Sequence, residues 1–338
     1  MQSIICDQPN SLSQVERAIP ECSTGEALVR IRRIGICGTD LHAFSGSQPY
    51  FSYPRILGHE LGGEIAGVGT GVSNLEVGDP VTVIPYLECG ECIACRAGKP
   101  NCCTALKVIG VHCDGGMQEY IAHPADHLIR VKGLSLDELA LVECMAIGAH
   151  AVRRAGVQAG EDVLVVGAGP IGYGIMQFCR IAGARVIALD IDNQRLEFSR
   201  DKGGADAIVL ADGENTQQLI WDVTEGNGAA AVFEATGSPQ SMTQAFNFIA
   251  HGGRYVLVSI VDARISFYDP DFHKRETTLL SSRNATREDF ALVLQCLAEK
   301  RLDLQPLITH RCSFGRFVEN FATWATPGSG IIKGIIEV

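Results

Sequence analysis

The stretch from Asp162 to Asp192 reads DVLVVGAGPIGYGIMQFCRIAGARVIALDID, and it leaves few folds open. A continuous apolar run, Val163 to Val166, has the length and composition of a strand buried on both faces. It opens directly into Gly167-x-Gly169-x-x-Gly172, followed by a helical stretch ending near Ala182. The glycines, with Ile171 among the intervening positions, permit a tight turn and the close approach of a pyrophosphate, which a helix N-terminus favours electrostatically. A second apolar run, Arg185 to Leu189, ends at Asp190, at the distance where an acidic residue accepts hydrogen bonds from an adenosine ribose and repels a 2′-phosphate. This pattern points to NAD; Arg195 nearby is the feature that would suit NADP. Alternation continues with strands expected near Ala207–Leu210, Ala229–Ala235, Gly253–Ser259 and Thr277–Ser282, and with a helix expected over Ser238–Ala250. Six strands with intervening helices make a doubly wound, Rossmann parallel sheet.

Before Asp162 the text changes. Short alternating segments such as ALVRIRRIGI and DPVTVIP, broken by glycine and proline, predict a β-rich domain. A chain of 338 residues suits two domains, each with its own core. No apolar run is long enough to cross a bilayer, and residues 1–20 lack the basic start and apolar stretch of a secretory signal, so a cytoplasmic location is expected. The net charge of −11, with no basic cluster, disfavours nucleic acid and anionic membranes as partners.

Thirteen cysteines in a reducing compartment call for an explanation other than disulfides. Five fall within YLECGECIACRAGKPNCC, Tyr86 to Cys103. Cys89, Cys92, Cys95 and Cys103 form C-x2-C-x2-C-x7-C, with Gly90, Gly98 and Pro100 supplying turns. Structural zinc, an iron–sulfur cluster and a redox dithiol all use close cysteines. Four thiolates suit tetrahedral zinc best, and such a site is closed to substrate.

A second set of donors lies in ICGTDLHAF (Ile36–Phe44) and LGHELGGEIAGVG (Leu57–Gly69). Cys37, His59 and a carboxylate from Glu60 or Glu143 would supply sulfur, nitrogen and oxygen and leave a coordination position open, the mark of a catalytic zinc.

These motifs, with Asp114-Gly115-Gly116 before Glu119-Tyr120 and the glycine-rich turn, resemble the zinc-dependent medium-chain alcohol and polyol dehydrogenases, in the sorbitol and threonine dehydrogenase branch, over nearly the whole length. The resemblance implies a GroES-like catalytic domain over 1–146 with a zinc lobe at about 86–106, an NAD-binding Rossmann domain over 147–286, and a return of 287–338 to the catalytic domain, with the active site in the cleft between domains. It implies two zinc ions per chain, one catalytic and one structural, and a homo-oligomer, dimer or tetramer. The family spacing selects Cys103 over adjacent Cys102 in the lobe. Cys37 and His59 match its catalytic zinc ligands, and residues matching Glu60 and Glu143 stand at or beside the metal. Where the family has Glu-Pro, this chain has Glu143-Cys144; a thiolate is the softer ligand, yet its side chain should point away on the family backbone, so Glu143 is the expected third ligand.

The implied reaction is reversible oxidation of a secondary alcohol, zinc favouring the alkoxide and hydride passing to nicotinamide. Thr39 and His42 match the family's proton relay, and imidazole titrates in the range a relay end requires. Asp40 is the expected acceptor orienting His59. The segments FYDPDFHKRETTLLSSRNATREDF and QPYFSYPRILGHE are similar to bacterial sugar-acid dehydrogenases of the L-galactonate and L-gulonate type. Arg283 would then face the substrate carboxylate, with Asn284 beside it; both also suit NAD contact or capping of the next helix. A neutral polyol such as sorbitol, or L-threonine, is the competing small-molecule substrate. A non-catalytic NAD-binding relative would lack Cys37, His59 or the acidic position, and all are present.

Overall fold

The computed structural model describes residues 1–48, 51–213, 215–326 and 328–338. Pro49 and Tyr50 of the QPYFSYP segment lie outside the described residues. The chain forms two compact units, Met1–Cys144 with Thr286–Val338, and Met145–Ala285.

The first unit is built on a seven-stranded sheet. Its order is Leu128–Arg130, Pro80–Val83, Glu60–Val68, Glu26–Ile36, Lys333–Glu337 and Ile308–Ser313, with Tyr120–Pro124 also paired to Glu26–Ile36. The long strand Glu26–Ile36 organises it. Ala27, Val29 and Ile31 are buried at alternate positions, as a half-buried strand requires, and then the buried set switches to Ile34 and Ile36. The switch follows from a bulge: Ile31 pairs with Gly63 but Arg33 with Gly62, so Arg32 is an extra residue and the faces exchange. Beyond the bulge, Gly35 pairs with Glu60 on one side and Ile335 on the other, which delivers Cys37, His59 and Lys333 to one end of the sheet. The core under this sheet includes Ile4, Ile31, Ile34, Leu57, Leu61, Phe317 and Phe321, all at 1% exposure or less. Each such side chain contributes about 1.5–3 kcal/mol through burial.

The second unit holds a six-stranded, wholly parallel sheet in the order Ala207–Leu210, Arg185–Asp190, Asp162–Val166, Ala229–Glu234, Ile249–Leu257, Thr278–Ser281. Strand order reverses between Asp162–Val166 and Ala229–Glu234, the switch point of a doubly wound sheet. Gly167 has φ 101°, a left-handed conformation that side chains resist, and a Cβ added to Gly172 would lie 1.9 Å from the Gly167 carbonyl oxygen.

One expected element differs. The helix read over Ser238–Ala250 is Pro239–Gln244, followed by a 3-10 turn Ala245–Phe248, and the next strand starts already at Ile249. Ala229 pairs with Ile249 before an irregularity containing Gly252 (φ 74°), and Phe246, Phe248 and Ile249 bury into the core. Tertiary burial thus overrides a helical reading in a segment too short to show its period.

Candidate active site

In the lobe, the donor atoms of Cys89, Cys92, Cys95 and Cys103 lie within 4.8 Å of one another. Cys92 and Cys95 Sγ are 3.5 Å apart, as are Cys89 and Cys103 Sγ. Zinc–sulfur bonds of about 2.3 Å require tetrahedral edges of about 3.8 Å, so the four thiols fit the ion. The Cys95 and Thr104 backbone amides pull the Cys92 thiol down to about 5, while loss of hydration and its bonds to Cys92 and Cys103 push Cys95 up to about 12. Cys102 is exposed and is not in the converging group.

Cys37 closes the long strand and caps the helix Gly38–Ser45. Its Sγ accepts the Thr39 amide at 3.5 Å, and Asp40 Oδ2 accepts the Cys37 amide at 2.9 Å, a reciprocal cap that fixes the thiol at the helix N-terminus. The donor atoms of Cys37, His59 and Glu60 lie within 4.8 Å of one another, the second converging group among the described residues. His59 is buried and its Nδ1 has no hydrogen-bond partner among the described residues. Burial opposes a charge on His59, but Cys37, Asp40 and Glu143 outweigh it and hold its pKa well above the usual imidazole value. A thiol, an imidazole whose Nδ1 has no partner among the described residues, and a carboxylate fit a cation.

Asp40 does something other than orient His59. It stands 3.8 Å from Nδ1, beyond hydrogen-bond reach, and its oxygens accept the amides of Cys37 and Gly58 (3.1 Å). It therefore ties the cysteine loop to the residue preceding His59 and adds negative charge beside the imidazole.

Two residues went unrecognised in the sequence. Lys333, 1% exposed, donates to both oxygens of Glu60 at 2.7 and 2.9 Å and to the Ile36 carbonyl at 3.0 Å. Burial disfavours its charge; the electrostatic influence of Cys144, Glu60 and Cys37, with the hydrogen bond to Glu60, more than restores it, and its pKa is raised. Gly35 makes the room, since a Cβ there would lie 2.1 Å from Glu60 Oε2. The signal was a single lysine in the apolar run GIIKGIIEV. Tyr86, also buried, donates its hydroxyl to Glu143 Oε1. Glu143, in the helix Leu136–Ala155, is itself buried, and that burial raises its pKa. Cys144 is buried too, its thiol held well above the usual range first by burial, and it is not among the converging donors.

Thr39 and His42 sit three residues apart on one helix, hence on one face, Thr39 half-buried and His42 exposed. His42 Nδ1 is 3.1 Å from Ser47 Oγ.

In the second unit, Asp190 Oδ2 accepts the Ala168 amide at 2.6 Å and Oδ1 the Asp192 amide at 2.9 Å. The acidic residue thus already braces the glycine turn. Arg195 Nη1 stands 3.9 Å from where a Cβ of Gly169 would be. Gly169 caps the helix Pro170–Ile181, which includes Ile171 and Gly172. Arg283 is exposed, and Asn284 takes a left-handed turn (φ 51°) with a buried Nδ2 that lacks a partner among the described residues. The glycine turn at the head of this helix has the form a dinucleotide pyrophosphate requires.

An open mixed-ligand cluster, a closed four-thiol lobe and a dinucleotide turn define a zinc-binding dehydrogenase. Residues 23–133 match the alcohol dehydrogenase GroES-like domain and residues 170–299 the zinc-binding dehydrogenase domain. The chain belongs to the zinc-type medium-chain alcohol dehydrogenase family, oxidoreductases acting on CH–OH groups, with a GroES-like unit and a Rossmann NAD-binding unit. It is 42% identical to the L-galactonate-5-dehydrogenase of Escherichia coli over 336 residues, covering 99% of this chain and 98% of that one. It is 32% identical to the L-idonate 5-dehydrogenase of Vitis vinifera, covering 93% and 88%. The solved structure of an Escherichia coli CFT073 alcohol dehydrogenase (rspB), complexed with NADH, matches with a TM-score of 0.94 and 31% identity, covering 100% of this chain and 99% of that one. No helix among the described residues is long and apolar enough to cross a membrane.

Replacing Lys333 by Met leaves Glu60 buried and uncompensated, which should destabilise the chain by about 3–5 kcal/mol in urea unfolding. Adding Glu60→Gln should recover most of that loss. A single variant as stable as the parent would show that Glu60 does not need its partner.

Proposed function

We propose that this protein is a zinc- and NAD-dependent dehydrogenase that oxidises a secondary hydroxyl of a sugar acid, of the L-galactonate or L-gulonate type, to the keto acid. The observation that carries this reading is the convergence of Cys37, His59 and a buried carboxylate in a chain 42% identical end to end to an L-galactonate-5-dehydrogenase. The similarity to an L-idonate 5-dehydrogenase supports the same substrate class. NAD as the cofactor is supported by Asp190 behind the glycine turn, where a 2′-phosphate would meet a carboxylate.

When bound, zinc supplies the Lewis acidity that favours the alkoxide, and NAD accepts the hydride. Cys37 and His59 would hold the metal. For the third ligand the reading is Glu143: Glu60 stands nearer Cys37 and His59, but Lys333 engages both its oxygens, so Glu60 is assigned an electrostatic part and Tyr86 the task of aiming Glu143. Thr39, beside the metal-site cysteine, would take the hydroxyl proton and His42 pass it to solvent, consistent with their shared helix face and graded exposure. Arg283 is the candidate cation for the substrate carboxylate and Asn284 a polar contact beside it, a role that the unpartnered Nδ2 supports.

The protein is read as a cytoplasmic homo-oligomer. The strand Thr278–Ser281 pairs with one neighbour only among the described residues, and exposed Leu279, Phe267 and Tyr268 belong to the same region of the chain, features that suit a second copy.

A screen of NAD reduction across aldonates, neutral polyols and L-threonine tests the substrate. L-galactonate or L-gulonate should exceed the matching uncharged polyol by at least about tenfold in kcat/KM, as a charge-matched bidentate contact requires. Equal rates on acid and polyol, or preference for threonine, would refute the sugar-acid assignment.

A further inference from the structure

We infer that Glu234 is a positioning residue for the cofactor, fixing through Thr236 the loop that abuts the glycine turn; the inference rests on the NAD reading above. Glu234 ends the strand Ala229–Glu234 and is the register partner of Val166, the last residue before Gly167. These two carboxyl ends flank the switch point of the sheet, where doubly wound folds place their ligands. The Ala235 amide donates to the Val166 carbonyl at 2.8 Å, and a Cβ on Gly167 would lie 2.9 Å from the Ala235 carbonyl carbon and oxygen and 3.1 Å from Thr236 Cγ2. The loop after Glu234 and the glycine turn are thus in direct contact.

Thr236 and Gly237 are exposed, yet the side chain beneath them is a fully buried carboxyl. Glu234 Oε1 accepts the Thr236 hydroxyl and the Thr236 amide (3.2 Å), and Thr236 Oγ1 in turn accepts the Ser238 amide at 3.0 Å. Oε2 is buried with no partner among the described residues. Burial raises the carboxyl's pKa, with hydrogen bonds from Thr236 and Ser241 opposing. A carboxyl with one unsatisfied buried oxygen is an expensive way to fill space, and an apolar residue would fill it better. What Glu234 does that an apolar residue does not is hold Thr236, and with it the loop, through hydrogen bonds. Freed from that tie, the exposed loop moves, and its contact at Gly167 passes the movement to the turn that receives the pyrophosphate.

The test is NADH binding to the zinc-loaded protein without substrate, followed by fluorescence, for Glu234→Ala, Glu234→Gln, Thr236→Val and the Glu234→Ala/Thr236→Val pair. Weakening the hydrogen bonds that tie Thr236 to Glu234 should raise the NADH Kd about tenfold in Glu234→Ala and in Thr236→Val. The pair should fall well short of the sum of the single changes, because both remove the bond from the Thr236 hydroxyl to Glu234. Glu234→Gln keeps the acceptor and should bind within about twofold of wild type. Zinc content and kcat at saturating NAD should hold throughout. Wild-type affinity in both Glu234→Ala and Thr236→Val overturns the inference, as does a lower melting temperature with unchanged Kd. If Glu234→Ala does not fold, Thr236→Val, which keeps the shape, decides alone. A wild-type protein that binds no NADH would remove the cofactor reading and this inference together.

Discussion

The buried contact between Lys333 and Glu60 is the interaction on which the catalytic unit depends. It gathers three strands at one point: Lys333 from the C-terminal strand, Glu60 from its own, and the Ile36 carbonyl from the long strand that ends at Cys37. A carboxylate and an ammonium withdrawn from water each carry a desolvation cost of several kcal/mol, offset here by bidentate geometry and a third acceptor. The pair also shapes the electrostatics. Cys37, Asp40, Glu60 and Glu143 lie around His59 and Lys333, so a cation held by Cys37 and His59 would meet a field already partly neutralised.

The second unit solves a different problem, with side-chain carboxyl groups that accept hydrogen bonds from its loops. Its glycine turn needs a left-handed Gly167 and an absent side chain at Gly172, and it is braced from two sides. Asp190 bonds the Ala168 amide from one neighbouring strand, and the Glu234–Thr236 loop presses on Gly167 from the other. A backbone turn that must accept a doubly charged pyrophosphate gains more from such rigidity than from added charge.

Much of this was legible because it is local. The glycine turn, the C-x2-C-x2-C-x7-C lobe and the CGTD and GHE segments each carry their chemistry within a few residues, and the structure brings Cys37, His59 and Glu60 together. Lys333 was not legible, since it meets Glu60 across 273 residues and announces itself only as a lysine among isoleucines. Tyr86 lay in plain view at the head of the cysteine lobe, but nothing local tells a buried phenol that it will face Glu143. Asp40 stands beside His59, but its oxygens accept the Cys37 and Gly58 amides, because spacing places a carboxylate near a histidine without saying which amides will occupy its oxygens first. The helix expected to Ala250 failed where a few core aromatics, not a period, decide the conformation.

Zinc content measured on the purified protein tests the central claim most directly. About two zinc ions per chain are expected in the wild type and about one in Cys37→Ser, with the lobe ion retained; Glu143→Gln should lose more of the catalytic ion than Glu60→Gln. Retention of both ions in Cys37→Ser, or a wild type holding one ion only, would contradict the assignment of Cys37 and His59 as a second metal centre.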